Sequence, residues 1–315
     1  MSRRRSRALI ALLVGFALVV SACGDDDDTS TSGSGGTLRF EPYDAGGPLT
    51  EAALKSGEIQ VAVLFTTNPK IASEGWVLLE DDKGLQPADN LIPAIREDIA
   101  TDQIKDALNA VSEKLTTAEL TEMNRKQGVD KQDSDAIAQA WLEENDLLPY
   151  DGDEVSGSIT IGSTNFGEQE IVAELYAQVL ESAGADVERK FKLGNREVVA
   201  PALEKGDIDI YPEYVGTYTL YLDKNATVPS DVGDAVEQLT KLAEAKGVVL
   251  GDAAPAQDTN GFVVTQTTAD EHDLSKVSDL SDVEDELVLG GPPECPQRPF
   301  CAIGLQETYG LTVES

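Results

Sequence analysis

The stretch Val198-Val-Ala-Pro-Ala-Leu-Glu-Lys-Gly206, followed at once by Ile208-Asp-Ile-Tyr211, has the pattern of a helix that ends at glycine and leads into a buried strand. The same pattern occurs earlier, in residues 49–57 followed by residues 59–65. We expect each closing glycine to adopt the left-handed conformation that ends a helix. The β-branched runs that follow suit buried parallel strands. Two units of this kind predict an α/β fold.

The charge of the chain excludes one class of partner. Of its 315 residues, 58 are acidic and 24 are basic, which gives a formal net charge of −34. Nucleic acids are bound by clustered lysines and arginines that neutralise phosphates. The sequence has no such cluster beyond residue 7, so we expect no nucleic-acid partner. The single histidine, His272, lies in a polar run and is expected to be exposed, and we expect neither a metal nor a cofactor.

The first residues of the chain are typical of an export signal. Basic residues 3–7 precede an apolar run of thirteen, residues 8–20, which is too short for a bilayer span. Val-Ser-Ala-Cys23 then resembles the bacterial lipobox. We therefore expect a signal peptide at 1–22, a lipid anchor on Cys23, a flexible tether at 23–36, and a location on the extracytoplasmic face of the cell membrane. The alternative is an ordinary secretory cleavage beside an incidental cysteine.

Two more cysteines, Cys295 and Cys301, lie six residues apart in a Pro-rich stretch. In an oxidising compartment outside the membrane, two such thiols are expected to form a disulfide. A zinc site with two thiolate ligands is the weaker alternative, because no further ligand lies nearby in sequence.

Residues 149–157 are polar and without periodicity, which predicts a linker. A short strand, Ser158-Ile-Thr-Ile161, follows it. Asn165-Phe-Gly-Glu168 then predicts a helix start, with Asn165 as the N-cap and Glu168 as its capping-box partner. Further helices are predicted at residues 102–115, 117–125, 134–145 and 232–246.

The predicted strands end in side chains that suit binding better than catalysis. In α/β sheets ligands lie beyond the carboxyl ends of the strands, which here are residues 65–68, 162–165 and 211–217. These segments contain hydroxyl and aromatic groups, with almost no histidine, cysteine or paired-carboxylate chemistry. They predict a site that holds a molecule without transforming it.

Several stretches agree with one known family. They are Ile159-Thr-Ile-Gly-Ser-Thr-Asn-Phe-Gly-Glu-Gln169, Leu203-Glu-Lys-Gly-Asp-Ile-Asp-Ile-Tyr-Pro-Glu-Tyr-Val-Gly-Thr217, and Tyr43-Asp-Ala-Gly-Gly-Pro-Leu49 with Leu79-Glu-Asp-Asp-Lys83. Together they resemble the substrate-binding proteins of osmoprotectant ABC importers, which take up glycine betaine, choline, carnitine or proline betaine. The resemblance extends over residues 37–315. It implies a two-lobed fold of the type II periplasmic-binding-protein kind, and a non-enzymatic monomer that delivers its ligand to permease subunits.

The order of the motifs is reversed relative to this family. Residues 37–148 resemble its C-terminal part, and residues 159–315 resemble its N-terminal part. We interpret the chain as a circular permutant in which residues 149–157 join the family's old termini. The alternative is a fragment cut across a tandem pair of such domains. We expect one lobe from residues 85–148 with 158–257 and the other from residues 37–84 with 258–315.

The resemblance also implies a ligand site. The family encloses a quaternary ammonium in an aromatic box and clamps the carboxylate with lysine, arginine and threonine. By motif, Tyr214 and Phe65 fall in the box, while Thr217 and Arg298 fall on the carboxylate side. Three positions depart from the pattern: Thr164 replaces a lysine, and Asn260 and Asp89 fall where tyrosines are frequent. The expected ligand-binding residues are Tyr214, Thr217, Arg298, Phe65, Thr164, Asn165, Asn260 and Asp89.

Other interpretations of the same residues stay open. Asp89 could be a solvated turn residue or could pair with a primary or secondary amine. Arg298 could be a loop residue paired with Glu294, and one of Tyr211 and Tyr214 could lie in the core with the other on the surface. Two other functions also remain. One is a secreted hydrolase that uses Glu213 or Asp44, and the other is a degenerate binding protein that acts as a sensor or scaffold.

Overall fold

A computed structural model describes residues 36–44, 46–283 and 287–314 of the chain. Within these ranges the strands form two sheets, one of six strands and one of five. The mixture of sheets and covering helices confirms the α/β prediction and the expected two-lobed architecture. The predicted signal peptide, Cys23 and all of the tether except Gly36 lie outside the described residues. None of the helices in the described ranges is long and apolar enough to cross a membrane.

The strands of the two sheets come from different parts of the chain. Their bounds are β1 Thr37–Pro42, β2 Val61–Phe65, β3 Val77–Leu78, β4 Leu91–Arg96, β5 Ser158–Gly162, β6 Asp186–Lys190, β7 Ile210–Tyr214, β8 Val248–Leu250, β9 Asn260–Val264, β10 Leu287–Gly291 and β11 Thr312–Glu314. The six-stranded sheet has the order β11-β1-β10-β2-β9-β3, and the five-stranded sheet has the order β6-β5-β7-β4-β8. In both sheets parallel pairs at one end give way to antiparallel pairs at the other.

Helices cover both faces of the five-stranded sheet. The α-helices among the described residues are α1 Pro48–Ser56, α2 Lys70–Ser73, α3 Asp102–Lys114, α4 Thr117–Gly128, α5 Ser134–Glu144, α6 Gly167–Ser182, α7 Arg196–Lys205, α8 Val215–Leu222, α9 Val232–Glu244, α10 Gln266–His272 and α11 Ala302–Gly304. Apolar side chains of α3 to α6 form the core on one face of this sheet, and those of α7 to α9 form the core on the other. The six-stranded sheet has separate cores of its own. Each sheet is therefore stabilised mainly by its own buried apolar surface.

The two helix-to-strand units fold as their sequences predict. Gly57 ends α1 with φ of 78°, and Gly206 ends α7 with φ of 79°. In this left-handed conformation a Cβ atom is disfavoured, which is why glycine occurs there. Strands β2 and β7 follow within four residues, and every residue of β7 is buried. Local sequence signals are enough to set these two elements.

The first and last described strands lie side by side. β1 pairs in parallel with β11, with Thr37 opposite Thr312 and Arg39 opposite Glu314. The amide of Thr312 also donates to the carbonyl of Gly36 at 3.1 Å. The two ends of the described chain are thus adjacent at one edge of the six-stranded sheet.

Candidate functional site

A cavity of about 280 Å³ lies beyond the carboxyl ends of β2, β5 and β7. Both sheets contribute to it, because Phe65 ends a strand of one sheet and Tyr214 ends a strand of the other. The lining residues are Phe65, Asp89, Thr164, Asn165, Phe166, Gln169, Asn195, Arg196, Tyr214, Thr217 and Asp258. The carboxyl ends of the strands are the location that ligands favour in α/β sheets.

The structure brings six of the eight expected ligand-binding residues to this cavity. They are Phe65, Asp89, Thr164, Asn165, Tyr214 and Thr217. Asn260 lies in an adjoining groove with Thr66, Leu78 and Gln257. Tyr211 and Tyr214 are both buried, so the alternative interpretation that one of them lies on the surface is wrong.

Arg298 is not among the residues that line the cavity. Its Nη2 donates to Oε1 of Glu294 at 2.8 Å, and 55% of its side chain is exposed. In this structure Arg298 therefore forms a surface ion pair with Glu294, as the alternative interpretation has it, and does not line the cavity in which a ligand carboxylate would bind. Nearby, Cys295 and Cys301 are joined by a disulfide.

The cation at the cavity is Arg196, which sequence reasoning did not single out. Its Nε donates to Oε1 of Glu213 at 2.7 Å, and its Nη2 donates to Oε2 at 2.8 Å. The same Nη2 also donates to the Thr217 hydroxyl at 2.7 Å. The Tyr211 hydroxyl donates to Oε1 of Glu213 at 2.6 Å. Glu213 is completely buried, so this bidentate pair supplies the counter-charge that a buried carboxylate needs.

Glu168 has a role that the sequence pattern conceals. The capping-box expectation is wrong, because α6 begins at Gly167, and Phe166 rather than Asn165 is its N-cap. Glu168 is instead buried and accepts hydrogen bonds from the Tyr214 hydroxyl and from Nδ2 of Asn124. Burial raises its pKa despite these hydrogen bonds, because the ionised form loses its hydration.

Asp89 is buried rather than solvated. Its Oδ1 accepts hydrogen bonds from the amides of Gly216 at 2.8 Å and Thr217 at 2.9 Å. Burial raises the pKa of Asp89 to about 7, although these hydrogen bonds and the charge of Arg196 act in the opposite direction. A group with this pKa changes its charge near neutral pH.

Asp258 adds a second buried carboxyl to the same wall. Its Oδ1 accepts from the Thr66 hydroxyl at 3.3 Å and from the Thr67 amide at 3.2 Å, and its own amide donates to the carbonyl of Asp89 at 3.3 Å. Burial and the neighbouring charge of Glu168 raise its pKa well above the usual range. The cavity therefore gathers acidic groups that are costly to ionise without a cation.

Two phenylalanines form the apolar part of the cavity. The Phe65 and Phe166 rings lie 5.5 Å apart with a tilt of 48°. One ring follows a strand of the six-stranded sheet, and the other precedes α6, which packs on the five-stranded sheet. Phe166 lies within one of the motifs but had no assigned role. Its ring supplies an aromatic face that could contact a cation.

Neither Asp44 nor Glu213, the two acids of the hydrolase interpretation, is free at the cavity. Asp44 accepts from the amides of Leu49 and Thr50 and from the Thr50 hydroxyl, so it holds the first turn of α1. Glu213 is held by Arg196 and Tyr211, as described above. Within the described part of the chain, no group of three or more His, Cys, Asp or Glu residues is placed to hold a metal ion.

Comparison with known proteins gives one family. Residues 38–144 and 157–315 match the OpuAC family, described as the substrate binding domain of ABC-type glycine betaine transport system. The chain is similar to the glycine betaine-binding protein YehZ of Escherichia coli, with 31% identity over 163 residues that cover 50% of this chain and 53% of that protein. It is also similar to a glycine-betaine-binding protein of Pseudomonas aeruginosa, with 28% identity, 49% of this chain and 52% of that protein covered.

The chain thus spans about half the length of the curated relatives it matches. Among solved structures, it is similar to the MppA periplasmic murein tripeptide binding protein in its unliganded open form. The identity is 11%, the TM-score is 0.36, and the match covers 76% of this chain and 54% of that chain.

Proposed function

The chain belongs to the OpuAC family, and from this premise we propose that it is the extracytoplasmic substrate-binding protein of an ABC importer. In this role it captures a small osmoprotectant between two lobes and delivers it, chemically unchanged, to permease subunits. The names of the two curated relatives, both glycine betaine-binding proteins, support an osmolyte as the ligand. We propose residues 85–148 with 158–257 as one lobe and residues 37–84 with 258–315 as the other.

The cavity between the two sheets is the observation on which the proposal depends. Its volume, about 280 Å³, is near the lower limit of small-molecule pockets, so it suits a compact osmolyte better than a peptide. Its walls come from both sheets, and the Phe65 and Phe166 rings meet across it. Two parts that share one ligand can close on it by a hinge motion. The engagement of Asp44 and Glu213 elsewhere favours binding over hydrolysis.

Isothermal titration of the purified protein tests this function. The ligands are glycine betaine, choline, carnitine, proline betaine and proline. We expect saturable heat with at least one compound and none after Thr217→Trp, which would fill the cavity. Glu244→Trp, an exposed position on α9, is the matched control and should bind as the wild type does. Absence of heat with every compound, in a protein that unfolds cooperatively, would contradict the proposal.

We further propose that Cys23 carries the lipid anchor, since the protein would then stay beside its permease. The mature chain is strongly acidic, so anionic lipids repel it and acyl chains must supply the attachment. Cys23→Ser should move the protein from the membrane fraction to the soluble extracytoplasmic fraction. If Cys23→Ser remains in the membrane fraction, the proposal that Cys23 carries the lipid anchor is wrong.

The reversed motif order leads us to propose a circular permutation. The family match is interrupted between residues 144 and 157, which includes most of the predicted linker. The ends to be rejoined lie in neighbouring strands, but β1 and β11 are parallel, so a junction that keeps their pairing needs added linker residues. A variant with Ser315 joined to Leu38 through a flexible glycine- and serine-rich linker, and with new ends within residues 149–157, should fold and bind with unchanged affinity. Failure to fold would favour a fragment of a tandem pair.

A further inference from the structure

The charges around the cavity do not balance. Among the described residues that line it, Arg196 is the one lysine or arginine, and its charge is offset by Glu213. Asp89 and Asp258 line the same cavity, and neither forms an ion pair with a lysine or arginine of the described chain. Two buried carboxyls therefore share one cavity without a direct ion pair to a lysine or arginine of the described residues. An ordered buried charge normally has such a partner.

One oxygen of Asp89 is left for a ligand. All the hydrogen bonds that the side chain of Asp89 accepts, from Gly216 and Thr217, go to Oδ1. Within the described ranges no donor lies within hydrogen-bond distance of Oδ2. Asp89 is 6% exposed and lines the cavity, and because its Oδ2 is not fully buried, this oxygen is accessible from the cavity. A carboxylate oxygen that faces a cavity and has no donor from the protein can accept a hydrogen bond from a bound molecule.

The remaining walls favour the same kind of ligand. Phe65, Phe166 and Tyr214 are the aromatic residues among the described lining, and the Tyr214 hydroxyl is already used on Glu168. A quaternary ammonium is held by several ring faces because it has no N–H to donate. An ammonium with N–H groups gains a charge-assisted hydrogen bond from a carboxylate, which is stronger than a neutral one. A cavity with few aromatic rings and a free carboxylate oxygen therefore favours an ammonium that carries N–H groups over a quaternary ammonium.

We propose that the ligand is an organic cation whose ammonium keeps at least one N–H, and that this N–H donates to Oδ2 of Asp89 beside Asp258. The inference rests on the proposed binding function and narrows its substrate class to primary, secondary or tertiary amines. Phe65 and Phe166 then contact the alkyl groups of the amine. Thr217 and Arg196 also line the cavity, and their donors can bind a hydroxyl or a carboxylate of the same ligand.

Two methylation series test the substrate class. One is ethanolamine, its dimethyl derivative and choline, and the other is sarcosine, dimethylglycine and glycine betaine. Within each series only the number of N–H groups and methyl groups changes. We expect the N–H members of at least one series to bind roughly tenfold more tightly than the quaternary member at pH 8. Tighter binding of choline or glycine betaine within its series overturns the inference and leaves the proposed function standing. No binding by either series overturns the inference, whereas the proposed function fails only if carnitine, proline betaine and proline also give no heat.

Asp89→Asn separates recognition of the ammonium from structural effects. Asparagine keeps an oxygen for the amides of Gly216 and Thr217, but places an NH₂ donor where Oδ2 lies. We expect the affinity of the variant for the N–H member of a series to fall roughly tenfold or more, while its affinity for the quaternary member changes by about twofold at most. Asp106→Asn, at an exposed position of α3, is the matched control and should change neither. An equal loss for both ligands would assign Asp89 a purely structural role and overturn the inference.

The pH dependence of binding provides an independent readout. Arg196, Glu213, Tyr214 and Asp258 face Asp89 from the surrounding elements. Arg196 lowers the pKa of Asp89 and Glu213 raises it, and burial, the largest cause, brings it to about 7. Only the ionised carboxylate accepts the ammonium N–H as a charged partner. Affinity for the N–H member should therefore rise up to roughly tenfold from pH 6 to pH 8 in the wild type and stay flat in Asp89→Asn. A flat wild-type profile, or one that falls with pH, overturns the assignment to Asp89.

Discussion

Replacing Asp89 by asparagine should change how the stability of the ligand-free protein depends on pH. The folded protein holds the pKa of Asp89 at about 7, above the ordinary value of 3.8, because the carboxyl is buried. A proton is therefore bound more tightly in the folded state. Its stabilising contribution is fully present below pH 3.8 and is lost as the pH rises through 7. The asparagine variant has no such proton and lacks this loss.

The size of the effect follows from the two pKa values. Between pH 5 and pH 8 the wild type should lose roughly 2–3 kcal/mol of unfolding free energy through Asp89 alone. The charge of Asp89 also raises the pKa of Asp258. Its removal lowers that pKa, so the variant loses less unfolding free energy through Asp258 as well when the pH rises. The unfolding free energy of the variant, relative to that of the wild type, should accordingly increase by roughly 2–3 kcal/mol as the pH rises from 5 to 8.

Urea unfolding of both proteins at half-unit pH intervals measures this difference. Comparing the two proteins cancels acids elsewhere, such as Asp44 and Asp279, whose pKa values are lowered and whose pH dependence has the opposite sign. Asp106→Asn should parallel the wild type throughout. A difference between wild type and Asp89→Asn that stays within about 0.5 kcal/mol across this range would refute a raised pKa at Asp89.

Three other variants test particular contacts. Arg196→Ala should lower the unfolding free energy by roughly 3–5 kcal/mol, because it leaves Glu213 buried without its counter-ion; an unchanged urea midpoint would contradict this. Replacing Cys295 and Cys301 together by serine should cost about 2 kcal/mol through the loss of a short closed loop, and equal thermal midpoints would disprove it. Arg298→Ala should change ligand affinity less than about twofold, since a surface ion pair contributes little. A tenfold loss in titration would show that Arg298 reaches the ligand.

Most of the fold could be predicted because its signals are local. The left-handed Gly57 and Gly206, and the strands that follow them, depend on residues within one helix turn or one strand. Helix α3 is another example, since Thr101 caps it and its buried residues Ile104, Leu108 and Val111 repeat at helical spacing. The pairing of β1 with β11 could not be inferred from periodicity, because it joins opposite ends of the chain.

The candidate site could be predicted only in part, because its charges are set by distant partners. Tyr214 and Thr217 belong to a stretch that carries recognisable residues at the end of a strand. The role of Arg196 depends instead on Glu213, 17 residues away, and that of Glu168 depends on Tyr214, 46 residues away. Glu168 also satisfies a capping-box spacing, so the local pattern favours the wrong partner. Nothing in the sequence alone distinguishes these pairs from others.

The contrast between Glu213 and Asp89 is the best physical reason to expect a cationic ligand. Both carboxyls are buried at the five-stranded sheet, but Glu213 receives two nitrogens of Arg196 whereas Asp89 has only neutral donors. The fold therefore places a cation, Arg196, beside Glu213, a buried acid that has only a structural role. Leaving Asp89 and Asp258 without one costs stability in the empty protein, and such unfavourable groups concentrate at functional sites. A cation that enters the cavity removes this cost, so part of its binding energy comes from charges that the protein already holds in place.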